Sequence, residues 1–262
     1  MKKIVLFDLD DTLLWDKKSV QDAFSLTCRL AEKEAGVSLE QLEKNVRDKA
    51  RELYASYPTY TYTQKIGINP FEGLWATFDD PGEEFQQLRE IAPVYQKTAW
   101  QAGLADTGVN NPELAEKLAK AFRDYRIESP CLFEDALLVL KELKKDYRLA
   151  LVTNGAPSLQ NLKLEISPEL PPYFEKIFIS GDIGIGKPDR EIFDYVLKAL
   201  NIKAEAAVMV GDNLHTDIIG ANRTGIDSIW LNRFDAENKS NIKPDYEIKS
   251  LKELKSILQS YN

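Results

Sequence analysis

Cysteine and histidine are scarce in this chain of 262 residues, and their scarcity excludes several kinds of site. Cys28 and Cys131 lie far apart and form no CxxC or Cys/His spacing, so neither a zinc site nor a disulfide framework is predicted. The single histidine, His215, falls on a predicted loop, where we expect a structural or peripheral role. A serine- or cysteine-histidine mechanism would need that histidine, and no GxSxG motif accompanies it.

Basic charge and long apolar runs are also in short supply. The formal net charge of -8 disfavours a nucleic-acid-binding protein, which needs a basic face to meet phosphates. No segment approaches the roughly 20 apolar residues of a membrane span. The apolar run after Met1-Lys2-Lys3 stops at Asp8, which is too early for a signal peptide. We therefore expect a soluble, cytoplasmic protein with neither nucleic-acid nor membrane partners.

Short apolar runs rich in β-branched residues predict buried strands, and segments of helical period lie between them. Strands that alternate with helices form a parallel sheet, because parallel neighbours need crossover connections. The predicted fold is thus an α/β doubly wound parallel sheet of about five core strands. The five runs are Lys3–Asp8, Arg148–Thr153, Lys176–Ser180, Ala207–Gly211 and Ser228–Leu231.

This alternation is broken once, by more than a hundred residues after Thr12 that contain helical periods and no convincing strand. Such an insertion is too long for a loop and predicts a helical subdomain. We therefore predict an α/β core of residues 1–14 and 130–262, with a helical cap of residues 15–129. Aromatic residues in the middle of the cap are expected to pack its own core, or alternatively to face a substrate. The four predicted helices are Ser19–Ala35, Ser38–Tyr57, Glu83–Ala105 and Pro112–Tyr125.

Polar residues follow four of the predicted strands. In an open parallel sheet, ligands bind beyond the carboxyl ends of the strands, so these residues should share one rim. Several like charges placed together need a counter-charge, and oxygen ligands beside a phosphate favour Mg²⁺. A lysine, a hydroxyl and backbone amides can hold phosphate oxygens. The residues are Asp8, Asp10, Thr153, Asn154, Gly155, Lys187, Asp212 and Asp217.

These groups resemble the four motifs of the haloacid dehalogenase-like superfamily, in its phosphatase branch. The segment Asp8-Leu9-Asp10-Asp11-Thr12 matches DxDx[TV], Thr153 the second motif, Lys187 in Gly-Lys-Pro-Asp the third, and Gly211-Asp212-Asn213 with Asp217 the fourth. The resemblance covers the predicted core to about Arg233. The inserted cap looks longer than is usual in the family, so substrate specificity does not carry over with the motifs.

The resemblance implies chemistry for the two aspartates of the first motif. Asp8 would attack phosphorus and form an aspartyl-phosphate. Asp10 would protonate the leaving oxygen and then deprotonate the attacking water. Asp11 and Asp182 are expected to have only supporting or surface roles.

The resemblance also implies how phosphate and metal are held. Thr153 and Lys187, with the amides around Asn154 and Gly155, would bind the phosphoryl oxygens. Mg²⁺ would be held by the Asp8 carboxylate, the Asp10 main-chain carbonyl and the Asp212 carboxylate. Asp217 would bind the metal directly or through water.

The predicted function is Mg²⁺-dependent hydrolysis of a small phosphorylated metabolite, with phosphoserine slightly favoured on family similarity. A dehalogenase of the same superfamily would also use Asp8, but a departing halide needs neither protonation nor metal, so Asp10 argues against it. A phosphosugar mutase uses the same motifs and the same kind of cap. A phosphate-binding protein without catalysis is disfavoured because no motif position is lost. The sequence does not predict an oligomeric state.

Overall fold

The computed structural model describes residues 2–261, and the chain divides into two compact units. Of the described residues, the core unit contains 2–15, 132–155 and 167–261, and the helical unit contains 16–131 and 156–166. The predicted cap ended within two residues of these boundaries but lacked the segment 156–166. That segment groups with the helical unit because Ala156 and Leu159 are buried in the apolar cluster of that unit.

The core unit contains a six-stranded parallel sheet in the order β3-β2-β1-β4-β5-β6. This confirms the predicted α/β doubly wound fold and adds a sixth strand that the sequence analysis missed. The central strand β1 is completely buried, and Leu6 pairs with Ala150 on one side and with Met209 on the other. The strands are β1 (Ile4–Phe7), β2 (Arg148–Thr153), β3 (Lys176–Ile179), β4 (Ala207–Gly211), β5 (Asp227–Leu231) and β6 (Tyr246–Ile248).

Helices connect these strands and cover the sheet. Helix α10 is strongly amphipathic, and its residues Ile192, Phe193 and Val196 pack against Ile4 and Met209 of the sheet. This packing fixes the strands whose carboxyl ends carry the predicted site. With helices numbered along the whole chain, the core unit contains α7 (Ala136–Leu143), α9 (Ser180–Ile183), α10 (Arg190–Leu200), α11 (Ile219–Thr224) and α12 (Leu254–Gln259).

The helical unit is built from seven helices within the described residues. Ser38 and Asn111 cap two of them, since their side chains accept from the main-chain N–H groups of Gln41 and Leu114. Among residues 2–261, no helix is both long enough and apolar enough to cross a bilayer. The seven are α1 (Asp16–Ala35), α2 (Leu39–Ser56), α3 (Tyr60–Ile66), α4 (Pro70–Gly73), α5 (Glu83–Ala105), α6 (Pro112–Glu128) and α8 (Pro157–Glu165).

Aromatic side chains make up much of the interior of the helical unit. Phe24, Trp75, Trp100 and Phe122 are all fully buried, and Phe24 contacts both Trp100 and Phe122. Tyr54 is buried as well, and its hydroxyl donates to the carbonyl of Ile68 at 3.0 Å. In the middle of the predicted cap, Tyr54, Trp75 and Phe78 are buried in this interior, which is the first of the two expected arrangements.

A buried ion network joins four helices of this unit. Lys163 in α8 pairs with Glu72 at 2.9 Å and lies 3.7 Å from Asp16, while Arg126 donates to Asp16 at 2.5 Å. Burial alone would raise the pKa of Asp16, but Lys163 and Arg126 outweigh burial and lower it. These contacts tie the segment 156–166 to the rest of the helical unit.

Candidate active site

The loop after β1 holds Asp8 at the carboxyl end of the central strand. The Asp8 amide still donates to Val210 of β4, at 3.0 Å, so the sheet fixes its main chain. The next residues turn tightly, because the amides of Leu13 and Leu14 both donate to the carbonyl of Leu9. Asp11 makes this turn possible by adopting a left-handed conformation with φ of 61°, which aspartate tolerates better than most residues.

The Asp8 carboxylate is almost completely buried and has two side-chain partners. Lys187 Nζ donates to Oδ1 at 2.6 Å, and Thr12 Oγ1 donates to Oδ2 at 3.1 Å. Burial, with the neighbouring charge of Asp217, raises the pKa of Asp8 to about 6 against the opposing effect of Lys187. Lys187 and Thr12 therefore hold the two carboxylate oxygens of Asp8 in defined directions.

Lys187 is buried between two carboxylates. Its Nζ lies 2.6 Å from Asp8, 2.7 Å from Asp217 and 2.7 Å from the carbonyl oxygen of Val152. Burial alone would lower the pKa of Lys187, but Asp217 and Asp8 outweigh burial and raise it. A permanent positive charge therefore lies beside the Asp8 carboxylate, as the third motif predicts.

Asn154 fixes the main chain of this lysine. Its Nδ2 donates to the Lys187 carbonyl at 2.8 Å, and its Oδ1 accepts from the Lys187 N–H at 2.8 Å. A Cβ on Gly186 would lie 2.9 Å from Asn154 Oδ1, so glycine permits this close approach. Asn154 was predicted only to bind phosphate, and its contact with Lys187, which joins segments 33 residues apart, was not predicted.

The other two residues predicted to bind phosphate lie beside Asn154. Thr153 ends β2 and is buried, with its hydroxyl 3.4 Å from the Asn154 carbonyl. The amide of Gly155 donates to Ser180 Oγ at 2.8 Å. This amide is therefore engaged by the protein, so any phosphate contact through it would compete with Ser180.

Three carboxylates meet where a metal ion was predicted. Oxygen atoms of Asp8, Asp212 and Asp217 all lie within 4.8 Å of one another. Lys187 offsets only part of their negative charge, and the oxygen donors suit a hard divalent cation such as Mg²⁺. The residues present therefore fit the predicted metal. The main-chain carbonyl of Asp10 was predicted to be a further metal ligand, and that role stays a prediction.

Backbone geometry around β4 positions two of these carboxylates. Asn213 N–H donates to Asp217 Oδ2 at 3.1 Å, and a Cβ on Gly211 would lie only 2.2 Å from that oxygen. Trp230 Nε1 donates to the carbonyl of Asp212 at 2.8 Å. Trp230 has no role in the sequence motifs, and only its place on the neighbouring strand β5 could have suggested one.

Two further residues considered from sequence lie at the surface. His215 is exposed in a short helical turn, and its main-chain N–H donates to Asn213 Oδ1 at 2.9 Å. Asp182 is exposed in α9. Neither side chain belongs to the buried group formed by Asp8, Lys187 and Asp217.

Proteins of known sequence and structure resemble the chain over almost its full length. A phosphoserine phosphatase from Thermus thermophilus is 34% identical over 252 residues, which cover 96% of this chain and 97% of that protein. The crystal structure of the HAD-hydrolase YfnB from Bacillus subtilis, bound to magnesium, is 28% identical, with a TM-score of 0.64 and coverage of 98% of both chains. A 2-haloacid dehalogenase from Pseudomonas syringae shares the fold at 24% identity, with a TM-score of 0.62 and full coverage of both chains.

A family model also matches almost the whole chain. The haloacid dehalogenase-like hydrolase model covers residues 2–225, which include all four motifs. This match agrees with the parallel sheet and with the meeting of motif residues around Asp8. The resemblance read from the motifs is confirmed, and the chain belongs to the haloacid dehalogenase-like hydrolase family.

Proposed function

We propose that this hydrolase is a Mg²⁺-dependent phosphatase acting on small phosphomonoesters through an aspartyl-phosphate on Asp8. The observation that carries the proposal is the buried carboxylate of Asp8, held by Lys187 and Thr12 beside Asp212 and Asp217. This group combines an oriented nucleophile with positive charge and a set of oxygen ligands. Phosphoryl transfer requires mainly such positioning and charge stabilisation.

In the first step, an Asp8 oxygen attacks phosphorus and Asp10 gives a proton to the leaving oxygen. In the second step, Asp10 removes a proton from water, which attacks phosphorus and releases phosphate and free Asp8. Lys187 stabilises negative charge on the transferred group, because its ammonium is fixed 2.6 Å from Asp8. Thr153, at the end of β2, donates its hydroxyl to a phosphoryl oxygen.

The metal would be held by Asp8, Asp212 and Asp217, the three carboxylates that lie together, and by the Asp10 carbonyl. Bound there, Mg²⁺ supplies positive charge that offsets the anionic phosphoryl group. Asp217 also pairs with Lys187 at 2.7 Å, so it orients the lysine whether it reaches the metal directly or through water.

Two considerations favour phosphate esters over haloacids as substrates. Asp10 supplies a proton that an alkoxide needs and a halide does not. The Thermus thermophilus relative, similar over 96% of this chain, is a phosphoserine phosphatase, whereas the dehalogenase likeness lies at 24% identity. We infer a small polar phosphomonoester as substrate, with phosphoserine the first compound to test.

The test combines substrate, metal and nucleophile. Phosphoserine, a pyrimidine nucleoside monophosphate, a sugar phosphate, p-nitrophenyl phosphate and 2-chloropropionate are compared by kcat/KM. We expect phosphoester hydrolysis that stops in excess chelator and returns with Mg²⁺. Asp8→Asn should abolish it while leaving the circular dichroism spectrum unchanged. Halide release without phosphate release would contradict the proposal, as would full activity of Asp8→Asn.

A further inference from the structure

Arg233 and Asp135 form a buried ion pair in the core unit that belongs to none of the four motifs. Arg233 Nη1 donates to Asp135 Oδ2 at 3.1 Å, and Nη2 donates to Oδ1 at 2.8 Å. Both side chains are largely shielded, with exposed fractions of 11% and 6%. A buried pair of this kind contributes little to stability compared with apolar residues, so its presence calls for another physical reason.

The guanidinium also contacts the loop that carries the nucleophile. Arg233 Nη2 donates to the carbonyl oxygen of Thr12 at 3.2 Å. The hydroxyl of the same threonine donates to Asp8 at 3.1 Å and accepts from the Asp212 amide at 3.1 Å. Thr12 is therefore the single residue between Arg233 and two members of the active site.

Other contacts fix the ion pair itself. Asp135 accepts from the Ser250 hydroxyl at 2.8 Å and from the Leu251 amide at 2.9 Å. The guanidinium carbon of Arg233 lies 3.9 Å from the centre of the Phe133 ring, at cation–π distance. The Asp135 carboxylate thus holds the edge of the Arg233 guanidinium, and the Phe133 ring covers its flat face. These contacts fix the direction in which Nη2 points.

The Arg233–Asp135 pair and Phe133 lie close to the points where the chain leaves and re-enters the core unit. The core unit ends at Trp15 and resumes at Leu132. Leu14 forms an antiparallel bridge with Leu132, and Trp15 stacks on Phe133 with ring centres 5.2 Å apart. Phe133 is therefore in contact with both Trp15 and Arg233. The ion pair of Arg233 and Asp135 thus contacts the loop from Thr12 to Trp15 directly at its main chain and, through Phe133, at its side chains.

We propose that Arg233, oriented by Asp135, is a positioning residue for the nucleophile Asp8 and acts through Thr12. The proposal rests on the proposed phosphatase function, in which Asp8 attacks phosphorus. Arg233 fixes the Thr12 carbonyl, Thr12 fixes Asp8 Oδ2, and Oδ1 is fixed by Lys187. Loss of the guanidinium lets the loop drift and misaligns the attacking oxygen.

The test measures kcat and KM with p-nitrophenyl phosphate and Mg²⁺ at 25 °C. In Arg233→Met we expect kcat to fall about tenfold to a hundredfold, because small misplacements of reacting groups have effects of this size. KM should stay near the parent value, and Arg233→Lys should restore part of kcat. Arg148→Met is the control for loss of an arginine–carboxylate pair away from the loop, because Arg148 donates to both carboxylate oxygens of Glu175, although that pair is more exposed than the pair of Arg233 with Asp135.

Combining Arg233→Met with Thr12→Val distinguishes a role in positioning Asp8 from a role in the stability of the protein. If Arg233 acts through the Thr12 hydroxyl, Arg233→Met should add little to the loss already caused by Thr12→Val. A parent kcat in folded Arg233→Met overturns the proposal, as does the full loss repeated in the Thr12→Val background. If Arg233→Met does not fold, the double variant Arg233→Met/Asp135→Asn, which leaves no buried carboxylate without its cation, serves instead, and a parent kcat there has the same meaning.

Measurements on the wild-type protein distinguish failure of the Arg233 proposal from failure of the proposed phosphatase function. Wild type that hydrolyses no phosphomonoester overturns the phosphatase function and the role of Arg233 together. Active wild type with an unaffected Arg233→Met variant overturns the role of Arg233 alone. Active wild type with a lowered kcat and unchanged KM in that variant, against an unaffected Arg148→Met, supports both.

Discussion

Replacing Gly211 with alanine tests whether close packing at the end of β4 positions Asp217. The added Cβ would lie 2.2 Å from Asp217 Oδ2, a separation that real Cβ atoms do not adopt. Relief to 3.0 Å moves the carboxylate oxygen by about 0.8 Å, since the strand is fixed by pairing on both sides. That movement disturbs the same carboxylate whose other oxygen, Oδ1, lies 2.7 Å from Lys187 Nζ.

The size of the effect follows from this displacement. Overpacking by one methyl group costs about 1 to 3 kcal/mol of unfolding free energy. If Oδ1 moves with Oδ2, lengthening the buried pair from 2.7 Å by about 0.8 Å weakens its attraction by about 1 kcal/mol at an effective dielectric constant near 20. We therefore expect Gly211→Ala to lose about 2 to 4 kcal/mol of stability and about a hundredfold in kcat/KM.

Gly103→Ala provides the matched control for stability. Its Cβ would lie 2.4 Å from Val46 Cγ2 in the helical unit, a similar overlap away from the catalytic residues. Urea titration and phosphatase assay of both variants at 25 °C separate the two effects. Gly103→Ala should lose stability and keep kcat/KM, and parent activity in Gly211→Ala would refute the packing argument.

Three further outcomes are expected. Asp16→Asn should lower the unfolding free energy by about 3 kcal/mol, because it removes the anionic partner of buried cations. Folding lowers the pKa of Asp16, so the stabilisation from its charge is complete above the unfolded pKa of about 3.9 and is lost as the pH falls further. Urea titration from pH 6 to 3 should therefore show the stability difference between wild type and Asp16→Asn narrowing towards pH 3. Asn154→Ala should lower kcat while changing the unfolding free energy little, because it removes the two hydrogen bonds that fix the main chain of Lys187. A kcat and KM equal to those of wild type would contradict this role. Burial raises the pKa of the Cys28 thiol to about 12, so a disulfide reagent at pH 8 should label half-buried Cys131 first, and mass spectrometry showing faster labelling of Cys28 would contradict that expectation.

The parts of the fold that depend on local pattern were predictable from sequence. The five predicted strands are present with nearly the same bounds, because their buried residues form continuous apolar runs. Strand β6 was missed because it is only three residues long, Tyr246–Ile248, and shows no apolar run of its own. The membership of α8 in the helical unit was missed for a different reason, since it depends on contacts such as Lys163 with Glu72, 91 residues away.

The same distinction holds at the active site. The sequence predicts that Asp8, Lys187, Asp212 and Asp217 lie close together, because parallel strands bring their carboxyl ends to one edge, and the structure places these four side chains together. The supporting contacts could not be read in this way. Asn154 on the main chain of Lys187, Trp230 on Asp212, and Arg233 on Thr12 join segments with no shared motif.

The covalent step proposed for Asp8 can be tested directly in an Asp10→Asn variant. p-Nitrophenol leaves without help from an acid, whereas the second step needs a base, which the amide side chain of the variant cannot provide. We therefore expect a burst of one p-nitrophenolate per enzyme followed by slow turnover. Borohydride reduction of the quenched protein should then convert Asp8 to homoserine, detected by peptide mass spectrometry. A burst with Asp8 unmodified, or with phosphate on His215 or another residue, would contradict the account.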